Sequence, residues 1–299
     1  MTFDDQAALQ SWSAPLGVEL ALCFTVLVYA RGWSSLRATF LNLISVGRLA
    51  AFVVGIVSLW IAIGSPMEAF DDMSLSVHMV QHLLLMAIAP PLILLGAPAL
   101  PLLHGLPRSI TRNVVGPILR WRAVKCSGRF ATHPAICWLA ATAALVGWHV
   151  PAVFELALRS EWLHELEHAC FFSAGLLFWW PVVQPWPSTA IWSRWSMPLY
   201  LFCATLPCDV LSGFLAFCDR VVYSSYASAP RIFDLSPLQD QECAAALMWV
   251  FVTVIFLVPA VVITLQILSP QGAHSPRETW RGFQTIAVRP LGASKSEVI

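Results

Sequence analysis

Seven long apolar stretches dominate this sequence, and they restrict its fold more than any other feature. They cover residues 15–31, 47–65, 77–96, 133–150, 163–183, 196–217 and 241–268. A helix needs roughly 20 apolar residues to cross the hydrocarbon core of a bilayer. The chain is 58% hydrophobic and 11% charged, a composition that a soluble domain could not carry without exposing a large apolar surface. The sequence therefore predicts an all-α, polytopic membrane helix bundle of about seven transmembrane helices.

The remaining sequence predicts one membrane domain followed by a short tail. Long polar segments occur only at 97–132, at 218–240 and after Pro270, and no internal repeat is evident. We expect a seven-helix transmembrane domain at 1–269 and a cytoplasmic C-terminal tail at 270–299. Asp4 and Asp5 stand where a signal peptide would carry basic residues, so we expect the first span to be retained.

Basic residues predict the orientation of the bundle. With seven spans, 14 of the 17 Lys and Arg residues fall on one side, and only Arg159, Arg220 and Arg231 fall on the other. Because Lys and Arg concentrate in cytoplasmic loops, we expect the N-terminus outside and the C-terminus in the cytoplasm. The Arg-rich segment 108–129 then faces anionic membrane lipid, and no nucleic-acid partner is predicted.

Five of the eight histidines are predicted to lie at the same outer edge of the membrane. His78 and His82 open the third span, His149 ends the fourth, and His164 and His168 open the fifth. Residues four apart share one face of a helix, so each pair can offer two imidazoles to one ligand. Polar rings placed in a membrane without a partner are costly. The pattern therefore predicts a metal site, or a haem site, built from these five residues.

Residues next to the histidines indicate what the five imidazoles would bind. Met79 and Met86 lie beside the first histidine pair, and thioether combined with imidazole favours copper. Glu165 and Glu167 could orient a ligating imidazole by hydrogen bonding. The segment 164–168, HELEH, also fits the H-E-x-x-H and H-x-x-E-H patterns of zinc proteases, so a zinc metalloprotease is an alternative.

Three other polar positions are candidates for supporting roles. Asp209 lies inside the sixth span next to Pro207, where it is either functional or satisfies backbone groups that the proline frees. Asp240 and Gln241 begin the seventh span, where capping of that helix is the simpler interpretation. The sequence leaves open whether Cys218 and Cys243 form a disulfide, since both could face the oxidising side.

Several motifs together resemble a known family. The strings HMVQHLLLMAIAPPLILLGAP, GWHVPAVFELAL, LHELEHACFFSAGLLFWWPV and DQECAAALMW are similar to those of the polytopic, seven-span CtaG-type cytochrome c oxidase assembly proteins of bacteria, over residues 60–268. The resemblance implies a multi-pass protein of the bacterial inner membrane that matures a haem-copper oxidase. The resemblance implies that His78, His82, His149, His164 and His168 are histidines shared with the family, and that Asp240 and Gln241 are a shared acid-amide pair. Glu242, Cys243 and Ala244 depart from the small residues that follow this pair in the family.

The leading hypothesis is a copper binding and transfer protein rather than an enzyme. Its expected partners are haem-copper oxidase subunits or another copper carrier, at the extracytoplasmic face. A haem-binding membrane protein, a zinc metalloprotease and a scaffold that binds no metal are the alternatives.

Overall fold

The described part of the chain is a bundle of helices. A computed structural model describes residues 16–39, 45–185, 192–231 and 234–269, and no strand occurs among them. We label the long helices α1 (Leu16–Thr39), α2 (Val46–Gly64), α3 (Leu75–Leu95), α4 (Pro134–Trp148), α5 (Glu161–Val183), α6 (Ser196–Phe217) and α7 (Pro237–Leu268). Short helices cover Met67–Phe70, Ala99–Gly105, Arg108–Ile110, Gly116–Arg120, Arg122–Ala131, Pro151–Leu158 and Ser224–Ala227.

Six of the long helices are long and apolar enough to span a membrane by themselves. The exception is α4, whose 15 residues rise only about 22 Å at 1.5 Å per residue. It qualifies as a span only together with Arg122–Ala131, from which it is bent by 67°. The prediction of an all-α membrane bundle of about seven helices is confirmed. The predicted tail at 270–299 lies outside the described residues, and the orientation stays a prediction.

Helix α3 lies at the centre of the bundle. Of its most apolar window, 61% is buried inside the protein, more than for any other candidate span among the described residues. It packs against α2, α5 and α7. Its middle turn, Leu84–Ile88, is a π-helix that leads into Pro90 and Pro91. Prolines supply no backbone N–H, and π-bulges disturb the regular hydrogen-bond ladder. Here the indole of Trp179 donates to the carbonyl of Met86, at 3.2 Å.

Helices α3 and α5 approach closely at Gly175. A Cβ atom built there would lie 2.7 Å from the carbonyl oxygen of Met86 and 2.8 Å from Cγ of Pro90. Only glycine leaves room for this contact, because the nearest obstacle is backbone. The contact holds the histidine pair of α5 against the pair of α3.

Two sequence interpretations of the loops were wrong in part. Segment 97–132 was predicted as a polar loop, but it consists mainly of short helices. Arg122–Ala131 has its basic residues exposed on one helix, which suits the membrane interface. Helix α7 begins at Pro237, earlier than the predicted residue 241, because Ser236 caps it by accepting from the N–H of Gln239.

Candidate metal centre

Five histidine rings meet at one end of the bundle. Helix α3 contributes His78 and His82, the end of α4 contributes His149, and the first two turns of α5 contribute His164 and His168. Ring centroids are 5.5 Å apart for His78 and His164, and 6.0 Å apart for His82 with both His149 and His168. All five residues are at least nine-tenths buried. The structure thus brings every predicted histidine ligand into one cluster.

The deepest part of this cluster is an inner group formed by His78, His82 and Glu167. Nε2 of His82 lies 3.5 Å, and Nε2 of His78 4.0 Å, from Oε1 of Glu167. Neither imidazole has a hydrogen-bond partner at either nitrogen, and neither oxygen of Glu167 has one. Buried polar atoms without partners are rare and costly. Glu167 is fully buried, so the inner group is a set of three ligand-type side chains aimed at one another.

A second set, the rim group, comprises Glu68, Asp71, His164 and His168. Nε2 of His164 lies 2.8 Å from Nε2 of His168 and 3.1 Å from Oδ2 of Asp71. Glu68 is exposed, so this group reaches solvent where the inner group does not. Within each group the ligand atoms lie within 4.8 Å of one another. Four of the five histidines predicted to surround one point therefore divide between two adjacent groups, and His149 belongs to neither.

One ring nitrogen of His149 points at the sulfur atom of Met79. Its Nδ1 is 2.7 Å from the carbonyl oxygen of Leu145 and can only donate there, which leaves the Nε2 lone pair free, 3.3 Å from Sδ of Met79. A cavity opens beside this pair. Sulfur-bearing residues in its lining are Met79, Met86, Cys208 and Met248, and His82 and His149 also line it.

Phe154, Tyr223 and Tyr226 cover the cluster on the side of the loops, and we call these three residues the roof. Phe154 lies against His78, with ring centroids 4.9 Å apart, and stacks on Tyr223 at 4.0 Å. The hydroxyl of Tyr223 donates to the carbonyl of His149, and that of Tyr226 donates to the carbonyl of Asp71. Burial, together with the nearby Asp71 carboxylate, raises the pKa of Tyr226, so its hydroxyl stays a donor. These contacts cover the histidine cluster on the side of the loops.

The roof is fastened by Glu155. Its carboxylate accepts from the backbone N–H of Ser225 and from the hydroxyls of Ser224 and Ser225. Burial alone would raise the pKa of Glu155, but these hydrogen bonds outweigh it and lower the pKa below its usual value. The short helices Pro151–Leu158 and Ser224–Ala227 are thereby held together.

Asp240 and Gln241 stabilise other elements rather than the start of their own helix. Asp240 was interpreted as a cap of α7, but its carboxylate accepts from the N–H of Leu75 at 2.7 Å and from the hydroxyl of Ser74 at 2.9 Å. It therefore caps α3, one turn before His78. Gln241 accepts from the N–H of Val222 and donates to the carbonyl of Leu215, so it fixes the loop that carries the roof.

The remaining predicted residues lie outside both groups. Glu165 is exposed and belongs to neither group. Asp209 is half-buried, and its Oδ1 has no hydrogen-bond partner, so that atom does not satisfy backbone near Pro207. Cys218 and Cys243 are free thiols.

The sequence analysis did not identify Glu68 and Asp71 as members of this cluster. The available signal was their place directly before the span with the first histidine pair. Residues at the end of one helix and the start of the next share one end of a bundle, so they can reach the same site.

The arrangement has the chemistry of a transition-metal site. Imidazole suits copper, zinc, iron and nickel, carboxylate adds harder donors, and sulfur favours Cu(I). The unpartnered atoms of the inner group fit a cation, because one ion could bind one nitrogen of each imidazole together with the Glu167 carboxylate.

Comparison with known proteins identifies relatives in mycobacteria. One protein of Mycobacterium bovis and one of Mycobacterium tuberculosis are each 30% identical over 157 residues, which cover 52% of this chain and 24% of the relative. A Mycobacterium leprae protein is 27% identical over 140 residues, or 46% of this chain and 21% of the relative. All three are named as uncharacterised proteins, and the matches span about a quarter of their length. No solved structure matches.

The family comparison covers most of the described chain. The family model described as "Cytochrome c oxidase caa3 assembly factor (Caa3_CtaG)" matches residues 27–269. This range contains α2 to α7 and every residue of the inner and rim groups. The predicted resemblance is confirmed, and the chain belongs to the caa3-type cytochrome c oxidase assembly factor family.

Proposed function

We propose that this assembly factor binds copper in its histidine cluster and passes it to a haem-copper oxidase subunit or to another copper carrier. The observation that carries the proposal is the inner group, where His78, His82 and Glu167 are buried without hydrogen-bond partners. Two ligand atoms bound to one ion lie at most about 4 Å apart, since each is about 2 Å from the metal. The separations of 3.5 and 4.0 Å between Glu167 and the two histidines meet that condition.

Copper is favoured over zinc by the surroundings of the inner group. His82 and His149 line the cavity that also presents Met79, Met86, Cys208 and Met248. Thioethers bind Cu(I) and contribute little to zinc sites. A zinc protease of the H-E-x-x-H pattern would need Glu165 at the metal, whereas Glu165 is exposed and in neither group.

Transfer requires ligands that a partner can replace. The inner group offers three protein ligands, and sites with three ligands keep a coordination position open. The sulfur-lined cavity reaches His82 of this group and extends between the helices. We propose that it leads copper towards the partner. The predicted orientation places the cluster at the extracytoplasmic face of the bacterial inner membrane.

Copper content of variants tests this proposal. The full chain, purified in detergent after expression with copper, is expected to carry the metal. His78→Ala and His82→Ala should lose the ion of the inner group, and Glu167→Gln should lower its affinity by about 10–100-fold. Glu165→Gln is the matched control, because it removes the same charge two residues away on the same helix without touching either group.

Function in the cell is read from the oxidase. Cells that produce His82→Ala in place of the native chain should assemble oxidase deficient in copper, and added copper should restore part of its activity. Equal copper in His82→Ala and in the unmodified chain would refute the assignment. A Soret band in the purified protein would favour haem instead.

A further inference from the structure

We propose that the rim group binds a second divalent transition-metal ion, separate from the copper in the inner group. The inference rests on the proposed function, because it takes the inner group as the copper site. It adds Glu68 and Asp71, which the sequence interpretation left out, as ligands beside His164 and His168.

The polar contacts of the rim group leave one acceptor without a full hydrogen bond. Nε2 of His164 lies 2.8 Å from one acceptor, Nε2 of His168, and 3.1 Å from another, Oδ2 of Asp71. That nitrogen carries at most one proton, so it cannot donate fully to both. Oδ2 of Asp71 has no hydrogen bond, although the residue is only 2% exposed. A cation between these atoms would satisfy both imidazole lone pairs and the carboxylate.

The carboxylates are held in place by residues that are not ligands. The amide of Gln81 donates to Oε2 of Glu68 at 2.9 Å and to the carbonyl of Ala62 at 2.7 Å. The hydroxyl of Tyr226 donates to the carbonyl of Asp71. Such outer contacts are typical of metal sites, where they fix the orientation of the ligands. The rim group is therefore arranged in advance for an ion.

One ion cannot serve both groups. Ligand atoms lie within 4.8 Å of one another inside each group, but the seven residues do not form a single group. His78 and His164, from the two groups, have ring centroids 5.5 Å apart. Two ions can thus be neighbours without sharing a ligand. With two carboxylates and two imidazoles the rim group suits a divalent ion such as Cu²⁺, and the exposed Glu68 makes it accessible from solvent.

Copper stoichiometry measures the number of sites. The detergent-purified full chain is dialysed to equilibrium against Cu²⁺ at the concentration that just saturates it, and copper per chain is determined by elemental analysis. We expect two ions in the unmodified chain, one in Glu68→Gln/Asp71→Asn, and two in the control Asp72→Asn, which neutralises an exposed neighbouring carboxylate. Asp71→Asn alone should bind the second ion at least tenfold more weakly, and this variant replaces the double variant in the test if the double variant misfolds.

Electron paramagnetic resonance gives an independent readout. Two adjacent Cu²⁺ ions broaden each other's signals, so the unmodified chain should show a coupled spectrum and the double variant a single resolved site. One ion in the unmodified chain, lost in His82→Ala and kept in Glu68→Gln/Asp71→Asn, would overturn this inference and leave the proposed function standing. No copper in any chain would overturn both. Loss of both ions in the double variant would show one shared site and also overturn the inference.

Discussion

Removing the Asp240 carboxylate should destabilise the N-terminal end of α3. The carboxylate accepts two short hydrogen bonds, from the N–H of Leu75 at 2.7 Å and from the hydroxyl of Ser74 at 2.9 Å, and a longer one from the N–H of Ser76 at 3.3 Å. Ser74 provides no side-chain cap of its own. Hydrogen bonds to a charged group contribute about 1.5 kcal/mol each at the lower bound. Counting only the two short bonds, Asp240→Ala should lower the free energy of unfolding by about 3 kcal/mol.

Equilibrium unfolding in mixed micelles, with rising dodecyl sulfate and helicity as the signal, measures this change. A loss of about 3 kcal/mol raises the unfolded-to-folded ratio by about 150-fold. Glu242→Ala is the control, since Glu242 is exposed two residues further along α7 and should change stability by less than about 0.5 kcal/mol. An Asp240→Ala chain as stable as the Glu242→Ala chain would show that water replaces the carboxylate and that the capping argument is wrong.

Two further predictions concern the close helix contact and the roof. Gly175→Ala places a Cβ atom 2.7 Å from the carbonyl of Met86, so it should destabilise the bundle by about 2 kcal/mol and reduce the amount of bound copper. Gly213→Ala is the control, because its Cβ atom would have no atom within 4 Å and should change neither property. Equal behaviour of the two variants would contradict the packing argument. Glu155 has a lowered pKa in the folded chain, so the stability it supplies is present above its usual pKa of 4.5 and is lost as the pH falls through the lower folded value. Glu155→Gln should therefore melt below the unmodified chain at pH 7, and the gap should shrink on acidification below about pH 4.5; a gap that widens in acid would contradict this.

Much of the bundle is readable from the sequence because hydrophobic length alone defines a transmembrane helix. The predicted spans 47–65, 163–183 and 196–217 agree closely with α2, α5 and α6. The predicted span 133–150 agrees with α4 as well, but the sequence did not indicate that this helix is too short to cross the membrane alone and is bent by 67° from Arg122–Ala131. Helicity of the segment 97–132 was also missed, because an interfacial helix has a polar face and no long apolar run.

The histidines of the site were predictable, whereas their division into two groups was not. Spacing of four residues on a helix places His78 with His82 and His164 with His168 on common faces. Which faces meet depends on how α3 and α5 are rotated, and that rotation is set by packing. Glu167 projects into the inner group while its neighbour Glu165 is exposed, a difference that the string HELEH does not contain.

Distant parts of the chain hold the ligands in position, and this explains why the motifs occur together. Asp240 of α7 caps the turn before His78, and Tyr226 of the roof holds the backbone of Asp71. A ligand set assembled from three helices would lose its geometry if those helix ends were free to move, because metal sites need ligands fixed to within about 0.5 Å. Substitutions at Asp240 or Tyr226 should therefore reduce metal affinity although neither side chain is a member of the inner or rim group. The acid-amide pair of α7 therefore supports the histidine cluster, although neither residue is part of it.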